Sequence, residues 1–95
     1  MPLDLLLVSA EEELFSGEAE FVLARTVEGE IGILPGHTPI LAQLAPFDIK
    51  VRTGAGEETY PVGGGFMTVK DDKVIILAEE AGVDVGKEST ESAAE

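Results

Sequence analysis

Glycine and proline constrain this chain more than any other feature. Eleven glycines and five prolines stand among its 95 residues. They cut the first 78 residues into short segments, and none of these carries the 3.6-residue apolar repeat of a helix. The segments instead show a period of two, the mark of strands with one buried face.

Leu3 to Ser9 reads as a strand, largely apolar on both faces. Glu18 to Ala24 alternates, with Ala19, Phe21 and Leu23 on one side and Glu18 and Glu20 on the other. Asp48 to Thr53 places Ile49 and Val51 inward, with Lys50 and Arg52 outward. Gly54-Ala55-Gly56 then turns the chain, and Glu57 to Val62 returns with Tyr60 and Val62 inward. Gly63-Gly64-Gly65 predicts a sharp corner or a close backbone approach. Phe66 to Lys70 and Lys73 to Ala78 form a second hairpin across Asp71-Asp72. The run Val74 to Leu77 predicts a strand buried on both faces. Phe15, Phe21 and Phe66 are expected in the core. Short strands with frequent turn signals indicate an all-β sandwich or barrel.

A chain of this length makes one domain and buries only roughly 60–65% of the surface its unfolded form exposes. Docking on a larger partner would add burial it cannot supply alone. With no cysteine, disulfides and thiolate chemistry are excluded. No run reaches the ~20 apolar residues of a membrane helix, and Met1 to Ser9 lacks the basic start of a signal peptide. The net charge of −13 repels nucleic acid and anionic lipid and suits a basic protein partner. Composition shifts after Ala78. Residues 79–95 hold six acidic residues, one lysine and no apolar side chain larger than two valines. The expected organisation is a β domain over 1–78 and a mobile acidic tail over 79–95.

Residues 28–41 carry the most information. They read Glu-Gly-Glu-Ile-Gly-Ile-Leu-Pro-Gly-His-Thr-Pro-Ile-Leu. Pro35 fixes φ, Gly36 suits the left-handed position of a type II turn, and Pro39 extends Thr38. The expected result is a rigid corner presenting His37, with Glu28 and Glu30 nearby. No second histidine or cysteine supports a metal site there. Gly63-Gly64-Gly65 lacks the Lys-Ser/Thr of a phosphate loop.

This segment resembles the Glu-Gly-Glu…Pro-Gly-His run of F-type ATP synthase epsilon subunits, with Ile31, Thr38 and Ile40 as substitutions. Val8-Ser9-Ala10-Glu11 and Leu14-Phe15-Ser16-Gly17 resemble the family's opening strand and Phe-Ser-Gly turn. Gly64-Gly65-Phe66, Val69 and Val74 to Glu79 resemble its close. The resemblance covers residues 3–80 in one order.

It implies a flattened sandwich of about ten antiparallel strands and a non-catalytic rotor part of a proton-translocating synthase, at the cytoplasmic face of the bacterial plasma membrane. Its partners would be the gamma subunit and the ring of c subunits, with no cofactor. Glu28, Glu30 and His37 match the ring-facing contacts, and Ser9 the approach to gamma. The family usually continues into two C-terminal helices, and ending at Glu95 implies neither ATP binding nor inhibition by extended helices. A second departure is Phe47, where the family often has glycine. Two other readings stay open: a small enzyme using the Glu28 and Glu30 carboxylates, and a free-standing binding module.

Overall fold

The computed structural model describes residues 2–79. Among these the chain forms nine strands: β1 (Leu3–Ser9), β2 (Glu13–Ala19), β3 (Phe21–Thr26), β4 (Gly29–Ile33), β5 (Ile40–Leu44), β6 (Phe47–Thr53), β7 (Gly56–Val62), β8 (Gly64–Lys70) and β9 (Lys73–Glu79). Glu79, the last described residue, pairs with Gly64 as a strand residue. The expected tail otherwise lies outside the described residues.

Hydrogen bonding runs β2-β1-β9-β8-β5-β3-β6-β7, with β4 on β3. The sheet doubles back at its thinnest link, the single pairing of Thr26 with Leu44. Two layers result: β2-β1-β9-β8-β5 (the first sheet) and β4-β3-β6-β7 (the second). The backbone N–H of Ala45 donates to the Arg25 carbonyl at 2.8 Å, and that of Val27 to the Gln43 carbonyl at 3.0 Å, which reinforces the fold line.

Alternation aims one face of each layer inward. Leu3, Leu5, Leu7, Met67, Val69, Val74 and Ile76 from the first sheet meet Val22, Ile33, Ile49 and Val51 from the second, and all are buried. Each such side chain contributes roughly 1.5–3 kcal/mol by leaving water. Among the described residues no polar side chain is buried. Phe15 and Tyr60 close one side of the sandwich, with ring centroids 6.1 Å apart, edge to face.

Four local expectations are corrected. Strand β1 runs parallel to β9, so the sheet is not wholly antiparallel. These strands are distant in sequence, and no tight turn dictates their direction. Glu18 to Ala24 is not one strand: the chain bends at Glu20, whose N–H donates to the Arg52 carbonyl at 2.7 Å. The bend resets the alternation, so Val22 and Ala24 face inward while Phe21 and Leu23 face out. Val74 to Leu77 is buried on one face only, because Ile75 and Leu77 are exposed. Phe66 is likewise half exposed, not core, and Phe21 lies on the outer face of the second sheet under the Arg52 guanidinium, 5.4 Å from the ring centre.

Candidate functional site: an acidic hairpin, a clasped corner and an open apolar face

Glu28 stands at the tip of the β3–β4 hairpin. Thr26 closes that turn: its hydroxyl accepts the Glu28 N–H at 3.0 Å and donates to the Gly29 carbonyl at 2.9 Å. Gly29 takes φ +137°, which a side chain would resist. The carboxylate of Glu28 therefore projects from a fixed, exposed tip beside Val27, which is 61% exposed. Glu30 follows on β4, exposed and in register with Arg25 on β3. Opposite charges at facing positions favour that pairing modestly.

The Pro-Gly-His corner has the expected form. The His37 N–H donates to the Leu34 carbonyl at 3.1 Å, with Pro35 and Gly36 between them. Gly36 has φ +89°, the left-handed third position of a type II turn. The ring Nδ1 of half-buried His37 lies 2.7 Å from the Thr38 carbonyl. A carbonyl only accepts, so Nδ1 carries the proton and Nε2 remains for outside contact. The Gly36 N–H donates to the Asp72 carboxylate at 2.7 Å, across 36 residues of sequence.

The structure does not bring His37 together with Glu28. Strand β4 separates them, and its five residues span about 16 Å at the usual rise. The hairpin tip shares its end of the sandwich with the close of β1 and of β9, whereas the corner sits at the opposite end with Asp72. What joins the two is the outer edge of β4 itself, since β4 pairs with β3 alone. Val27 and Leu34, both more than half exposed, bracket that edge.

Ser9 lies at the hairpin end, where β1 turns into β2. Its hydroxyl accepts the N–H groups of Glu11 and Glu12 at 3.2 and 3.1 Å. It donates to the Glu12 carbonyl at 3.3 Å. The Ser9 side chain thus organises the acidic turn between β1 and β2.

Sequence reading missed a surface. The outer face of the first sheet carries Leu41 on β5, Phe66 on β8, and Ile75 and Leu77 on β9, all at least 47% exposed. Phe66 pairs with Leu77, and Leu77 and Ile75 pair with Val8 and Leu6 of β1. Phe66, Leu77, Val8, Ile75 and Leu6 thus run together across β8, β9 and β1, while Leu41 on β5 faces Thr68. A contiguous apolar face of this kind marks an interaction surface. A shallow hollow of about 320 Å³ opens on it beside Leu6, Gly17 and Ile75. The available signal was the excess of apolar residues in Val74 to Leu77, more than a half-buried strand needs.

Among the described residues no three His, Asp or Glu side chains are placed to hold a metal ion. No helix there is long and apolar enough to cross a membrane.

The sequence pattern of the family described as ATP synthase, Delta/Epsilon chain, beta-sandwich domain matches residues 2–83. The ATP synthase epsilon chain of Frankia casuarinae is 48% identical over 82 residues, which cover 85% of this chain and 96% of that one. The ATP synthase epsilon chain of Thermobifida fusca is 54% identical over 79 residues. There the chain spans only 58% of its relative's length. A chain in the Euglena gracilis mitochondrial ATP synthase superposes with a TM-score of 0.79 at 33% identity, covering 85% of this chain and 52% of that one. A chain from the central stalk and c-ring of the Tetrahymena thermophila mitochondrial ATP synthase shares the fold, with a TM-score of 0.76 at 17% identity over 98% of this chain and 76% of that one.

Proposed function

The chain belongs to the ATP synthase delta/epsilon β-sandwich family, and from that premise we propose that it is a non-catalytic rotor subunit of an F-type ATP synthase. It docks the gamma subunit onto the c-ring of a proton-translocating complex and so supports coupling of ion flow to ATP synthesis. It sits peripherally, at the cytoplasmic face of a bacterial plasma membrane, through that complex.

The observation that carries this reading is that one small domain offers two unlike surfaces. The apolar outer face of the first sheet, around Phe66, Ile75 and Leu77, suits burial against a protein of complementary shape. Gamma is assigned to it, with Ser9 at its rim. The edge of β4, from Glu28 through Glu30 to His37, offers carboxylates and one imidazole on fixed backbone. It is assigned to basic loops of the c-ring. A ring contact using all three residues runs along β4, since His37 lies a strand's length from Glu28. Exposed ion pairs contribute only about 0–1 kcal/mol each. The gamma face therefore supplies most of the affinity and the β4 edge supplies register.

Binding of purified gamma tests the reading directly. Phe66→Ser with Ile75→Ser should weaken it at least roughly tenfold, a loss of about 1.4 kcal/mol. Glu30→Lys should leave gamma binding unchanged and weaken capture on c-rings. A chain that folds but does not bind gamma at all would be a free-standing module.

A further inference from the structure

We infer that Asp72 is a positioning residue for the His37 corner, acting from the far hairpin. The inference rests on the proposed contact of the β4 edge with the c-ring. The corner lies between β4 and β5, outside any strand pairing. Its only backbone hydrogen bond to itself is the one that closes the turn, from the His37 N–H to the Leu34 carbonyl. Nothing in that bond fixes the turn's angle to the body. The Gly36 N–H points away from the turn, and the Asp72 carboxylate receives it at 2.7 Å. A charge-assisted bond of that length is of the stronger class.

Asp72 is itself held from three sides. Its carbonyl accepts the Asp4 N–H of β1 at 2.8 Å. Its backbone is set at φ +62° by the β8–β9 turn, and the flanking Lys70 and Lys73 are paired in register. The carboxylate is therefore aimed by three strands of the first sheet. It transmits their rigidity to a corner that carries His37 one residue beyond the bonded Gly36. The imidazole is fixed in turn by its own bond to the Thr38 carbonyl.

Two substitutions separate this role from turn stability. Asp72→Gly keeps the left-handed turn and removes the carboxylate. Asp72→Asn also tolerates φ above zero and keeps an oxygen acceptor. In the full-length chain, amide exchange at Gly36 should accelerate at least about tenfold in Asp72→Gly and much less in Asp72→Asn. Assembled with gamma, the Gly variant should lose c-ring capture by a factor similar to that of His37→Ala, with the Asn variant largely rescued. Unchanged Gly36 exchange in Asp72→Gly would overturn the inference. So would intact ring capture by Asp72→Gly where Glu30→Lys and His37→Ala both lose it. If none of the three variants affects ring capture, the underlying ring contact fails, and the inference with it.

Discussion

A methyl group built on Gly65 would lie 2.1 Å from the carbonyl oxygen of Leu77. The clash is with backbone on the neighbouring strand, which β8–β9 pairing holds in place. Gly65 also takes φ +132°, where side chains are strained. Gly65→Ala should therefore cost at least about 3 kcal/mol, combining backbone strain with overpacking. Gly32 is the contrast. A methyl there would meet the Phe21 ring at 2.8 Å, but the contact is with the far edge of a partly exposed side chain on the outer face, not with backbone. Gly32→Ala should cost about 1 kcal/mol or less. Urea denaturation of both variants checks the ordering, and equal losses would show that Leu77 yields as easily as Phe21.

Strand β9 separates folding from docking within two residues. Ile76 is fully buried against the second sheet, and Ile75 is 47% exposed on the opposite face. Ile76→Ala should cost about 2–4 kcal/mol through lost burial and a residual cavity. Ile75→Ser should shift stability by no more than about 0.5 kcal/mol, while reducing affinity for gamma. Thermal melts paired with gamma binding test this. A large stability loss in Ile75→Ser would place that face in this domain's own core.

Much of this was legible in the sequence, and the misses share one cause. Ile49 and Val51 were read correctly because polar residues flank them and no bend interrupts β6. The Pro35-Gly36 turn was legible because its two residues admit few backbone alternatives. The triple glycine was legible for the opposite reason: residues without a side chain admit the positive φ and the close backbone approach seen at Gly65. By contrast, a contiguous apolar run does not say whether water or a partner covers its second face, so Ile75 and Leu77 were misassigned. The bend at Glu20 depends on a bond to Arg52 from a distant strand, which no local pattern announces. The separation of Glu28 from His37 follows from β4 being a full strand, where the glycines and prolines of residues 28–41 read as one rigid corner.

Tyr60 gives the chain its own reporter, since it is the only tyrosine. Burial first, and then the hydroxyl's hydrogen bond to the Glu58 carboxylate and the charge of that group, push its pKa up from 10.0 to about 12. A raised phenol pKa means the folded state keeps its proton after the unfolded state has lost it. The stabilisation is complete below pH 10 and declines between about pH 10 and pH 12. Phenolate absorbance should titrate near the upper value in the folded protein. Glu58→Gln should lower that midpoint without bringing it fully to the ordinary value, because burial remains. A wild-type midpoint at the ordinary value would mean that Tyr60 is not held against Glu58.

The β8–β9 turn yields the last prediction. Asp71 and Asp72 sit at φ +52° and +62°, so both central residues are left-handed, as in a type I′ hairpin. Aspartate tolerates that region at some cost, and glycine tolerates it freely. Asp71→Gly should therefore relieve backbone strain and stabilise by about 0.5 kcal/mol, the unfolded chain's added freedom offsetting part of the gain. Asp72→Gly relieves the same kind of strain but gives up the bond from Gly36 at 2.7 Å. A charge-assisted bond contributes about 1.5–3 kcal/mol when well formed, less at an exposed site such as this. Asp72→Gly should therefore be neutral or destabilising. Denaturation midpoints of the two single variants decide it. Equal stabilisation by both would mean that the Asp72 carboxylate contributes nothing to folding.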